Sequence, residues 1–492
     1  MLDRAGMLLP LVLYLGLIMG IAVWGSKVAQ KESGTKGFME EYFLGSRSMG
    51  GFVLAMTIIA TYTSASSFIG GPGVAYNLGL GWILLSMIQV PTAFLTLGVI
   101  GKRFALVSRR ANTVTFSDFL RARYKSDFVV VLASLAIIVF FMASMLAQFI
   151  GGARLFESIT GYSYQSGLLI FGLAVIIYTT IGGFRAVVLT DAVQGVMMII
   201  ASIAILGAVV AAGGGVANIM ESLRAVDPAL LSPQGPNNAI PKPFILSFWV
   251  LVGFAILGLP QTTQKALGYR DSKSLHNAMI IGTFVVGFTM LTMHLVGAMG
   301  RAVVPGIKIG DLAVPTLTIE LLSPFWAGIF IAGPLAAIMS TVDSMLIMVS
   351  AAIVKDLYFH YVAKNKAELL PPRKVKIMST LVTGVVGILV FLAALKPPAL
   401  LVWINLFAFG GLEAVFFCPT LFGLFWRRAN STGAICSMLF GCGAFFWFNI
   451  TKTSIAGTTA IVPTLALTTI VFVLGSYFGK PESEEKLRVF DL

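Results

Sequence analysis

The sequence predicts an all-α integral membrane protein of about thirteen transmembrane helices, and three observations predict it. Of its 492 residues, 57% are apolar and 11% charged, with a mean hydropathy of +0.91. Its apolar runs are long enough to cross a hydrocarbon core of ~30 Å at roughly 20 residues each, and are too numerous for a soluble domain. Porin-like alternation is absent, so helices, which satisfy their own backbone, are the spanning elements.

Charges mark the boundaries of the elements in chain order. The first span, 7–27, follows Asp3 and Arg4, lacks a small-residue cleavage site and is followed by basic residues, so it reads as a retained helix and not a signal peptide. Spans 51–76 and 80–101 share a stretch with no charge between Arg47 and Lys102. Asp127 and Arg154 bracket 128–152, Glu157 and Arg185 bracket 163–184, and 192–213 begins after Asp191. A segment rich in Gly, Pro and Asn (214–243) separates these from 244–264, which ends at Lys265. His276 and Arg301 delimit 277–300, Glu320 and Lys355 enclose 323–354, and 377–395 lies between Lys376 and Lys396. The last three spans are 399–426, 431–451 and 456–479.

With the N-terminus outside, this division places 26 of the 34 Lys and Arg on the inner side and 8 on the outer side. Such an asymmetry predicts the orientation as well as the count. The net charge of +13 arises in short loops beside span ends, 102–125 and 355–376, so topology and anionic lipid explain it better than nucleic acid. Cys418, Cys436 and Cys442 offer neither a disulfide framework nor metal-ligand spacing. The longest loop, 214–243, is too short to build a soluble enzyme core, and the charged tail 480–492 leaves no room for the output domain that a sensor would need.

Function is therefore expected among the helices. Away from their ends the spans hold one Asp, one Glu and one His: Asp343, Glu413 and His294. A charge at the bilayer centre costs from ~3 kcal/mol upward, so each is a candidate site residue, with an interhelical hydrogen bond as the structural alternative. The second span is unusual in carrying Thr57, Thr61, Thr63, Ser64, Ser66 and Ser67, followed by Gly70, Gly71, Pro72 and Gly73. Hydroxyls often serve as interhelical glue, yet this density suits a hard cation, which hydroxyls and carbonyls freed from an interrupted helix can hold. The Gly-Pro cluster reads as the outer end of that helix and not as the break. Ser340, Thr341 and Asp343 form a second polar run on the ninth span, and Pro260, Gln261 and Gln264 interrupt the seventh. Spans 2–6 and 7–11 start on opposite sides, so the two interrupted helices occupy equivalent places in an inverted repeat covering 51–213 and 244–426.

Four segments resemble the sodium/solute symporter family: EYFLGSRSMGG before the second span, YTTIGGFRAVVLTDAVQG from Tyr178, LAAIMSTVDSML on the ninth span and FGGLEAVFFCPTLFGLFWRRAN on the eleventh. Within it, the segments ASSFIGGPG, FIGGARL, FWVLV, GRAV and KPP are most similar to the branch that takes up pantothenate in bacteria. The resemblance implies a leucine-transporter-type 5+5 inverted repeat with extra helices at both ends, working by alternating access in the inner membrane. It implies sodium-coupled uptake, with Na+ as the coupling ion and no other cofactor. The sodium ligands so implied are the carbonyls of Ala60, Thr63 and Ala337 and the hydroxyls of Ser340 and Thr341. Asp191 resembles a residue on the sodium route to the cytoplasm, a solvated helix-start aspartate being its other reading. Where the family's proline carriers have an aspartate, this chain has Tyr62, which suits an anionic substrate. Pantothenate presents a carboxylate, an amide, two hydroxyls and a branched apolar centre, and the expected pocket residues are Ser64, Ser66, Ser67, Gln148, Trp249 and Gln261. Arg154 either attracts the anion or snorkels to the headgroups. The alternatives are another small organic anion or amino acid on the same fold and, more remotely, a transporter-like sensor. An enzyme is disfavoured because the spans hold no paired catalytic carboxylates, metal cluster or His beside a nucleophile.

Overall fold

The computed structural model describes residues 2–36, 48–362, 372–397 and 400–490. Residues 41–47 of the EYFLGSRSMGG segment and Pro398 of KPP lie outside them. Among the described residues the regular structure is helical, with one isolated parallel bridge between Met49 and Tyr269. Among the described residues ten helices have the length and apolarity of a membrane span, two further pairs are bent by more than 40° at a short break, and Tyr164–Thr180 is a shorter apolar stretch. One segment falls on each of the thirteen predicted spans.

The two breaks organise the molecule. The first pair is α1 (Gly51–Tyr62) and α2 (Ser66–Leu78), set at 68°. Thr63 leaves the helical region, with φ −78° and ψ 131°, so the chain is extended just after Tyr62. The second pair is α3 (Lys242–Gly258) and α4 (Pro260–Ala266), set at 44°. Here the cause is direct: a proline ring disfavours helical backbone in the preceding residue, and Leu259 is extended at φ −80° and ψ 116°. Gly70 to Gly73 remain helical inside α2, consistent with the expectation that they are not the break.

Around these pairs pack α5 (Tyr164–Ala212), α6 (Ser272–Val303), α7 (Pro324–Ala351) and α8 (Leu401–Phe425). Every residue of α7 from Ile331 to Ala351 is buried, which makes it the central helix. Helical backbone continues without a break from Tyr164 to Ala212, where the sequence predicts two helices, 163–184 and 192–213. At 1.5 Å per residue, 49 residues far exceed one bilayer crossing; within them Val187–Ala212 has the length and apolarity of a span, and Tyr164–Thr180 is a shorter apolar stretch.

Close approach of backbones replaces side-chain packing where α6 meets α2. A Cβ at Gly297 would lie 1.9 Å from the Pro72 carbonyl oxygen, and just beyond α6 the Gly310 carbonyl oxygen would lie 2.3 Å from a Cβ at Gly73. In a bilayer, where apolar burial gives little drive for helix association, such small-residue contacts hold helices together. At the end of the bundle carrying the basic loop 102–125, Met49 donates to Gly268 O at 3.0 Å and accepts from Arg270 N at 2.9 Å. The Arg109 guanidinium lies 3.8 Å over the Tyr269 ring and tightens the same junction.

Candidate ion and substrate site

The break in the first helix pair frees two carbonyls. In a continuous helix Ala60 O and Thr63 O would accept from Ser64 N and Ser67 N. Instead Ser64 N points to Ser67 Oγ at 3.4 Å, and Ser67 N donates to Ser64 O at 2.9 Å. Both freed oxygens face α7. Ser340 Oγ donates to Ala60 O at 2.7 Å and lies 3.2 Å from Ala337 O. Thr341 Oγ1 lies 3.0 Å from Thr63 O and 2.8 Å from Ala337 O. All five oxygens predicted as sodium ligands thus converge at one crossing of α1 and α7, fully buried. Three carbonyls and two hydroxyls make a neutral, hard-oxygen set of the kind sodium takes.

Directly beyond the break lies a cavity of about 40 Å³. Ser64, Ser66 and Ser67 line it as expected, and Ser66 Oγ has no hydrogen-bond partner among the described residues. Gln148, Trp249 and Gln261 do not line it. Gln148 supports the break instead: its Oε1 accepts from Ala65 N at 2.8 Å. Trp249 is 44% exposed on the outer face of α3. Gln261 faces a smaller cavity of about 20 Å³ with Gln264, Lys265 and Ser344.

The structure adds Gln89 and Asn405 to the expected pocket residues, and places Tyr62 in the wall. Tyr62 donates to Gln89 at 3.1 Å, and both border the cavity. Asn405 borders it too, its side-chain oxygen accepting from Ser144 at 2.5 Å. Nothing in a lone Asn or Gln within an apolar run distinguishes these from interhelical glue. Trp82, Phe248, Val252 and Phe409 supply apolar wall, and no Asp, Glu, Lys or Arg is among the described residues that line it. His294 reaches the margin while its Nδ1 bonds Met290 O on its own helix at 2.7 Å.

The remaining candidates sit elsewhere. Asp343 Oδ1 accepts from Thr179 at 2.5 Å, and Oδ2 has no partner among the described residues. Glu413 is fully buried with both carboxylate oxygens unpartnered among them. Asp191 is not a solvated helix start: it is fully buried, 3.0 Å from Lys265 Nζ, and accepts from Thr57. Arg154 pairs with Glu157 at 2.8 Å, away from the cavity.

A bundle of membrane-length helices, two of them broken around a central cavity and a buried oxygen cage, defines a secondary transporter. The chain belongs to the sodium:solute symporter family, which it matches over residues 42–441. It is 49% identical to the sodium/pantothenate symporter of Escherichia coli over 472 residues, 96% of each chain. It is 47% identical to the sodium/pantothenate symporter of Haemophilus influenzae over 98% of each chain. Its fold matches the solved outward-open, substrate-bound structure of a Na+-coupled sialic acid symporter, with a TM-score of 0.80 at 18% identity, covering 97% of this chain and 99% of that one. The architecture is therefore the leucine-transporter-type inverted repeat that the sequence predicts.

Proposed function

We propose that the chain imports pantothenate into bacteria across the inner membrane, coupled to inward sodium movement, with its N-terminus outside and its tail 480–492 in the cytoplasm. Nearly full-length identity of 47–49% to two sodium/pantothenate symporters supports the substrate. In this reading 51–213 and 244–426 are the two inverted repeats, and the basic inner loops face anionic lipid.

The observation that carries the coupling is that the cage and the cavity share one break. Thr63 offers its carbonyl to the ion, and Ser64, the next residue, lines the cavity. Sodium at Ala60, Thr63, Ala337, Ser340 and Thr341 fixes the crossing of α1 and α7, and with it the position of the serines that meet the substrate. Differential affinity of this kind is what shifts a population between arrangements. At about 40 Å³ the cavity is far smaller than ligand pockets of about 300–1,000 Å³, so substrate entry requires the helices around it to part.

The pocket suits an anion of mixed character. It has hydroxyl and amide groups for hydrogen bonds, aromatic and aliphatic wall for the branched centre, and, among the described residues that line it, no carboxylate to repel the substrate. Asp343 and Glu413, on α7 and α8, lie outside the cavity wall. Uptake of labelled pantothenate into proteoliposomes, with and without an inward sodium gradient, tests the proposal. Folded protein is expected to accumulate label only with the gradient. Equal uptake without sodium rejects the coupling, and no uptake in either case rejects the substrate.

A further inference from the structure

Lys265 is 2% exposed and Asp191 fully buried, and they face one another at 3.0 Å between different helices, α4 and α5. Lys265 Nζ also lies 3.2 Å from Thr57 Oγ1 on α1. Isolated charges in such a place are costly, and either one left alone would need a counter-charge or a change of protonation. Each of the three residues thus comes from a different helix. Thr57 stands three residues before Ala60 on the helix that supplies the sodium cage. Lys265 also borders the 20 Å³ cavity with Ser344, whose hydroxyl is 3.1 Å from that of Thr61. The ammonium therefore sits between the cage and the basic end of the bundle.

We infer that Lys265 is a tethered cation, its ammonium filling at Asp191 the place of a second sodium ion and so limiting the sodium carried per cycle. The inference rests on the sodium-coupled reading above. Its chemistry is that of the oxygens gathered there. Asp191 Oδ2 is shared by Lys265 and Thr57, and Asp191 Oδ1 has no partner among the described residues. A carboxylate and a hydroxyl are hard oxygen ligands suited to a small monocation. Lysine suits the substitution because its ammonium is a compact monovalent point charge, whereas the guanidinium of arginine is planar and wide. Removing the ammonium leaves a buried carboxylate that sodium can neutralise.

The test compares thermal unfolding of the full-length protein in detergent, in sodium chloride and in choline chloride, for wild type, Lys265→Gln and the double variant Lys265→Gln/Asp191→Asn. Wild type is expected to be stabilised by sodium through one saturating phase. Lys265→Gln is expected to melt lower in choline and to gain from sodium about twice the wild-type increment, as binding of a second ion requires. The double variant, with no carboxylate to satisfy, should return to the wild-type increment. A wild-type protein that sodium leaves unchanged rejects the sodium-coupled reading and this inference together. A stabilised wild type with an identical response in Lys265→Gln, or an enlarged response that persists in the double variant, rejects this inference alone. Wild-type proteoliposomes give a reading that needs no variant to fold. Labelled sodium and labelled pantothenate should enter in a ratio of one, and a ratio of two or more overturns the inference.

Discussion

At the scale of the residue, the cage depends on oxygens that have already converged. Ser340 and Thr341 touch the Ala60 and Thr63 carbonyls through hydrogen bonds of 2.7 and 3.0 Å, so an ion entering between them exchanges those bonds for coordination with little movement. Ser340→Ala and Thr341→Ala each remove one of the five proposed ligands, a loss comparable to a buried hydrogen bond of about 1–1.5 kcal/mol. The expected outcome is a rise of about tenfold in the sodium concentration for half-maximal uptake, at similar substrate affinity in saturating sodium. Unchanged sodium dependence in both variants would remove the site assignment. Tyr62 acts on the other partner. Its hydroxyl holds Gln89 at the cavity wall, so Tyr62→Phe should raise the pantothenate concentration for half-maximal uptake several-fold, by about 1 kcal/mol, and leave the sodium curve in place. Uptake titrated separately in each solute distinguishes the two. The convergence of Ser340 and Thr341 with the second span could be expected because AAIMST matches the family motif and the second span is rich in hydroxyls, and the structure brings these oxygens together. Gln89 and Asn405 were not legible, because their role depends on which helix they face after the bundle closes. Trp249 and Gln261 failed for the same reason: one faces outward and the other opens on a different cavity.

At the scale of the element, the breaks were legible wherever their cause is local. Pro260 dictates the extended Leu259, and the crowded hydroxyls from Thr61 to Ser67 flagged the first break, whose exact place at Thr63 depends on the packing against α7. The unbroken helical backbone from Tyr164 to Ala212 was not legible, since Arg185 and Asp191 between two apolar runs read as a loop. Gly297 shows why the α2 and α6 pair must carry glycine. Gly297→Ala puts a methyl group 1.9 Å from the Pro72 oxygen, so folded yield and uptake should both fall steeply, whereas alanine at Gly207, which has nothing within 4 Å, should be tolerated. The loop residue Asp311 gives the element scale a pH signature. Burial pushes its carboxyl up to about 6, against a hydrogen bond from Leu401 N and the charge of Arg154. A raised folded-state value means that the folded protein binds the proton more tightly than the unfolded chain. Its contribution to stability therefore grows as pH falls from above 6 towards 4, and is lost as pH rises through 6. Asp311→Asn should flatten that part of the melting-temperature profile between pH 7 and 4, and an identical slope in variant and wild type would refute the assignment.

At the scale of the whole molecule, composition and charge spacing were enough to read an all-helical membrane protein, because a bilayer permits so few solutions for a buried backbone. Pseudo-symmetry was legible only as a pattern: spans 2 and 7 are both interrupted, and an odd number of spans per repeat inverts the second. What makes such a bundle a machine is the charge it moves. Sodium is a monocation and pantothenate a monoanion, so a cycle carrying one of each transfers no net charge. An inside-negative potential, which contributes ~2.3 kcal/mol per elementary charge per 100 mV, then does no work on the loaded carrier. The buried Lys265–Asp191 pair, neutral as a unit, keeps the protein from adding a second mobile cation at that point. Wild-type uptake under a fixed sodium gradient is therefore expected to change less than about twofold when a potassium diffusion potential of about 100 mV, inside negative, is imposed on proteoliposomes. Lys265→Gln, carrying one more sodium, is expected to accelerate under the same potential and to generate a current. A wild-type rate that climbs several-fold with voltage would mean that at least two sodium ions accompany each pantothenate, and the cage between α1 and α7 could not then account for the coupling alone.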